Sequence, residues 1–80
     1  MSRQQITPTE YLDKMLDIIR ANGIPLSGQA PTVNVIRTTH GAGTELSCDK
    51  RDLSTVRDAF KAVGQTYTAQ PQFLPDWNLL

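Results

Sequence analysis

The sequence predicts a small α+β domain: an α-β-β-α order with a further short strand, an antiparallel hairpin covered by two helices, and an extended apolar tail. Three observations carry this. A helix-start signature opens a run of helical apolar spacing over residues 7–22. Two β-prone segments flank a glycine-rich turn over 32–48. A second helical apolar stripe then runs from Leu53 to Val63.

Thr7-Pro8-Thr9-Glu10 fits a capping box: Thr7 can accept from the Glu10 amide while Glu10 reaches back. Pro8 falls at the first helical position, where its missing N–H costs nothing. Tyr11, Leu12, Met15, Leu16, Ile18 and Ile19 follow at helical spacing, and Asn22-Gly23 is the stop, so the first helix is expected over 8–22. Two prolines and two glycines make 23–31 a loop. TVNVIRTT (32–39) is β-branched, with Val33 and Val35 on one face and Ile36 on the other. His40-Gly41-Ala42-Gly43 reads as the turn and TELSC (44–48) as the returning strand, with Leu46 and Cys48 inward.

Asp49 or Asp52 is the expected cap of the second helix; Leu53, Val56, Phe60 and Val63 form its narrow stripe, and Gly64 ends it. TYTA (66–69) alternates and suggests a third strand that would extend the hairpin through a right-handed crossover. Pro71 and Pro75 oppose regular pairing beyond it. The whole of 1–80 is thus expected to be one domain, with a flexible N-terminus at 1–6 and an extended tail at 70–80.

Eighty residues leave room for one core and little room for a deep pocket. The charges balance at +0, which argues against a general nucleic-acid binder. Cys48 is the only cysteine, so no internal disulfide staples the fold. The segment MSRQQITPTEY lacks the apolar core of a signal peptide, and no stretch has the length of a membrane span; a cytoplasmic setting is expected.

No catalytic motif emerges. GAG lacks the spacing and the Lys-Ser/Thr of a phosphate loop. His40 is the sole histidine, without further ligands at metal-binding spacing, and a Cys48–His40 pair is opposed by the turn between strand and tip. Neither an enzyme nor a bound cofactor is expected. The candidate surfaces are instead for docking. Lys50, Arg57 and Lys61 are spaced by seven and four residues along one edge of the second helix, with Arg51 nearby and Arg37 on the first strand as a possible extension. The first helix carries Glu10, Asp13 and Asp17 on its polar face. Tyr11 and Ile18 lie at one margin of its apolar stripe, facing the second helix, the tail or a second subunit.

The tail QFLPDWNLL (72–80) holds five large apolar residues, among them Phe73 and Trp77. Burying them contributes ~8–15 kcal/mol and ordering the backbone costs ~9–18 kcal/mol, so it holds only where it finds a good groove. The expected role is therefore a non-catalytic protein-binding module, with Arg37, Lys50, Arg51, Arg57, Lys61, Phe73 and Trp77 as the contact residues. In size and lack of motif the chain resembles small accessory proteins of phages and plasmids, including anti-CRISPR inhibitors of host ribonucleoprotein complexes. The alternative is a small dimeric nucleic-acid-binding regulator with the basic edge on phosphates.

Overall fold

The structure is a computed structural model that describes residues 3–73. Its order is β1 (Gln4–Ile6), α1 (Pro8–Ala21), β2 (Thr32–Thr38), β3 (Gly41–Ser47), a 3-10 turn (Lys50–Asp52), α2 (Leu53–Gly64) and β4 (Tyr67–Ala69). This is a small α+β domain with its strands in two small sheets.

The capping box forms as expected. Thr7 accepts from the Glu10 amide at 3.1 Å, and Glu10 accepts in return from the Thr7 amide at 3.5 Å. Helix α1 ends at Ala21, one residue earlier than its spacing suggests, with Asn22 as its C-cap, and Gly23 takes φ +65°. Its buried residues Tyr11, Met15 and Ile19 recur every four positions and so form one stripe. That stripe is the hub of the fold, because α1 packs on both α2 and β2.

Helix α2 is rotated slightly from the expected stripe. Val56, Ala59 and Val63 are buried, whereas Leu53 and Phe60 sit at the margins. Ala59 is only 2 % exposed. A small side chain at the centre of a helix contact lets two backbones approach, a role that a count of large hydrophobes passes over. Gly64 is the last helical residue and not a left-handed stop: Gln65 closes the helix in ordinary α geometry. The glycine is there for clearance, since an added Cβ would lie 3.0 Å from the Tyr11 hydroxyl.

Three sequence expectations are corrected. The turn of the hairpin is the pair Thr39–His40, and Gly41 through Gly43 are already in β3. Gly41 takes φ +119°, a conformation that side-chain residues rarely adopt. The segment 67–69 does not extend the hairpin. It pairs in parallel with residues 4–6, Gln4 with Tyr67 through Ile6 with Ala69, so the N-terminal stretch expected to be flexible is a strand. Arg3 reinforces this seam by donating to the Gly64 carbonyl at 2.9 Å, which places a cation at the C-terminal end of α2. The outer edge of β3 is met instead by the segment after β4: Thr44 donates its amide to the Gln72 carbonyl at 3.0 Å and its hydroxyl to the Pro71 carbonyl at 2.8 Å. Residue 73 bridges to Thr44 despite the preceding proline.

Capping near α2 is divided between the two expected aspartates. Asp49 caps the 3-10 turn by accepting from the Arg51 amide at 2.9 Å. Asp52 occupies the N-cap position but makes no cap bond; its two oxygens accept from the Ser27 and Gly28 amides at 2.7 and 2.9 Å. A carboxylate only 3 % exposed thus clamps the 23–31 loop to the start of α2. Gly28 is required beside it, since a Cβ there would overlap the Asp49 side chain.

Asp52→Ala leaves both loop amides without their acceptor. The expected loss is about 2–4 kcal/mol in urea unfolding, the range for removing one charged partner of buried hydrogen bonds. A near-neutral result would contradict the clamp.

Candidate functional site

Helix α2 turns 100° per residue, so a core face at Val56, Ala59 and Val63 forces Ser54, Arg57 and Lys61 to the opposite side, and the 3-10 turn before it brings Lys50 to the same surface. There they line a shallow trough of about 400 Å³, together with Arg51 and Asp58. Four cations therefore face one carboxylate. Arg51 is engaged: its guanidinium donates to both oxygens of Asp49 at 3.0 and 3.1 Å. Those bonds hold the Asp49 carboxyl down to about 2. Among the described residues, Lys50, Arg57 and Lys61 enter no ion pair, so their charge faces solvent.

Lys61 also lines a second, more apolar concavity of about 420 Å³. Its wall is an aromatic triad drawn from three parts of the chain. Tyr11 and Phe60 have ring centroids 5.0 Å apart, Tyr11 and Phe73 5.2 Å, and Phe60 and Phe73 4.9 Å in an edge-to-face pair. The Tyr11 hydroxyl donates to the Phe60 carbonyl at 2.8 Å. Burial pushes the Tyr11 phenol up to about 12, against a smaller opposing pull from Arg3. Tyr67 completes the wall, and the Lys14 ammonium lies 4.4 Å over its ring.

The structure brings together Lys50, Arg51, Arg57 and Lys61, and sets Phe73 in the neighbouring concavity. It does not bring Arg37 to them. Arg37 pairs with Ala42 near the hairpin tip and lines neither concavity. Trp77 lies outside the described residues. Tyr11, marginal by helical wheel, faces α2 and Phe73, whereas Ile18 lines a small cleft with Ile24 and Ala62. The sequence gives no local signal for Arg3 or Tyr67 in the aromatic wall, because both arrive through the β1–β4 pairing.

The remaining chemical groups are dispersed. His40 is at the hairpin tip and Cys48 follows the far end of β3, so a seven-residue strand separates them by roughly 20 Å. Burial raises the Cys48 thiol pKa, and the nearby Asp52 and Asp49 raise it further, which disfavours the reactive thiolate. Among the described residues, no group of three or more His, Cys, Asp or Glu gathers as a metal site. No helix among them is long and apolar enough to cross a membrane. No protein-family model, curated protein or solved structure matches the chain.

The triad carries two expectations. Phe60→Ala should cost about 2–4 kcal/mol by denaturant unfolding, at the low side of the range for a core aromatic because Phe60 is only partly buried; a loss well under 1 kcal/mol would mean that the triad is not load-carrying. The raised Tyr11 pKa makes the unfolded chain lose its phenolic proton first. Its contribution is complete below about pH 10 and declines as pH rises toward 12. The urea midpoint of the wild type should therefore fall more steeply above pH 10 than that of Tyr11→Phe; parallel curves would contradict this.

Proposed function

We propose that the chain is a non-catalytic protein-binding module that docks an acidic surface of a larger protein or ribonucleoprotein complex on the outer face of α2. The supporting observation is the trough itself: among the described residues Lys50, Arg57 and Lys61 enter no ion pair, and they line one trough along a helix, and the turn before it, whose other side is fixed in the core. Lys61 joins that trough to the aromatic concavity, so a single partner surface can meet cations and an apolar rim together. Asp49 is paired with Arg51, and Lys50, Arg57 and Lys61 still outnumber Asp58 among the lining residues, so the trough is locally cationic.

A protein surface suits this better than a nucleic acid. The chain carries no net charge, which gives little long-range attraction for a polyanion. The aromatic rings pack edge-to-face on one another, whereas a single-strand binder presents open faces for base stacking. Occupying a partner's surface without chemistry is how a small inhibitor acts, and that is the role proposed.

Affinity capture from the source organism's extract, run in parallel with wild type and Arg57→Glu/Lys61→Glu, tests this. Wild type should retain a discrete protein in a nuclease-resistant, salt-sensitive manner, and the variant should lose it with an unchanged melting temperature. Retention by the variant would contradict the reading. So would a wild-type shift of duplex DNA whose salt slope falls by about 0.9 per phosphate contact removed, which would favour the nucleic-acid alternative.

A further inference from the structure

We propose that β2 is a strand-pairing edge that joins two copies of this chain in a symmetric dimer, antiparallel about Val35, so that the two hairpins form one four-stranded sheet. This inference is independent of the trough on α2.

The backbone phase of the hairpin carries it. Thr44 of β3 is paired with Val35 of β2. The Thr44 amide donates away from β2, to Gln72, so Val35–Thr44 is one of the hairpin's non-hydrogen-bonded pairs. The peptide groups of Val35 therefore turn away from β3 as well. Alternation extends this to Val33 and Arg37, two residues to either side. The segment at 72–73 meets the outer edge of β3, but among the described residues nothing equivalent meets β2. Among the described residues β2 pairs with β3 alone, and no backbone group from another segment bonds Val33, Val35 or Arg37. A row of amides and carbonyls is thus left along a seven-residue strand. Edges of this kind template another strand, and proteins that must stay single guard them with proline, lysine or a bulge. β2 has no proline or lysine, its register with β3 runs unbroken, and its one charge, Arg37, lies toward one end.

The strand is self-complementary. Val35 is the middle residue of β2 and the centre of its outward-facing set. A two-fold axis there sets Val35 against Val35 of the second copy, and Val33 against Arg37. Each of these pairs exchanges two hydrogen bonds. Val35 is 55 % exposed, the most exposed large hydrophobic side chain among the described residues, and this pairing covers it with its own copy. Charge permits the contact. The two Arg37 backbones come to lie four residues apart along the sheet, about 13 Å, beyond the ~8 Å screening length at physiological salt. A closed two-fold pairing also leaves no second open β2 edge to propagate a filament.

Sedimentation equilibrium over a wide concentration range tests the association, and cysteine pairing tests the register. Wild type should dimerise with rising concentration. Val35→Lys should weaken the dimer at least about tenfold, with a melting temperature equal to that of the wild type at concentrations where both are monomeric. In a Cys48→Ser background, Val35→Cys should cross-link to its own copy under mild diamide oxidation, because opposed hydrogen-bonded residues lie about 5.5 Å apart between Cα atoms. Asn34→Cys, two residues out of register with its own copy, should not. A wild type that stays monomeric throughout, a dimer indifferent to Val35→Lys, or cross-linking of Asn34→Cys as fast as Val35→Cys would overturn the proposal.

Discussion

The contact on which the rest of the structure depends is that of Tyr11 with α2. The ring is buried against Phe60 and Phe73, and its hydroxyl is satisfied by the Phe60 carbonyl. A buried phenol without such a partner would be costly, so the bond fixes both the height and the rotation of α2 against α1. Gly64 then follows from the same contact, since the hydroxyl occupies the space that a Cβ would need. Once α2 is turned this way, Val56, Ala59 and Val63 are inside, and Arg57 and Lys61 have nowhere to go but out, where Lys50 of the preceding turn joins them. The candidate site is thus a consequence of core packing, and it needs no dedicated loop.

Polar groups around the start of α2 complete the arrangement. Asp52 satisfies two amides of the long loop that precedes β2, and Asp49 engages the Arg51 guanidinium. These carboxylates hold the loop and the 3-10 turn in place. In the trough Lys50, Arg57 and Lys61 still outnumber Asp58, although the chain as a whole is neutral. Local charge is set by which side chains share a face, a quantity that net charge does not report.

Much of the architecture was legible because the signals were local. The capping box at Thr7–Glu10, the β-branched run at 32–38 and the basic spacing of Lys50, Arg57 and Lys61 each depend on residues close together in the sequence. What was not legible depends on long-range pairing. Gln4–Ile6 becomes a strand only because Tyr67–Ala69 lies beside it, and three residues carry no periodicity of their own. Arg37 reads as a neighbour of the basic edge until the hairpin carries it toward the tip. Ala59 looks inert in sequence, yet it is buried in the core with Val56 and Val63. Asp52 reads as a cap, and only the folded loop reveals that its acceptors serve Ser27 and Gly28.

On the proposed function, anions are met by the outward face of α2, which the core fixes. Its most direct test is a backbone amide NMR titration of the whole chain with a glutamate-rich peptide, at low salt. The predicted result is a saturable set of shift changes confined to Lys50, Arg51, Ser54, Arg57 and Lys61 and their helix neighbours, abolished in Arg57→Glu/Lys61→Glu. Shift changes scattered over the surface, or centred on Arg3, Arg20 or the hairpin, would contradict it.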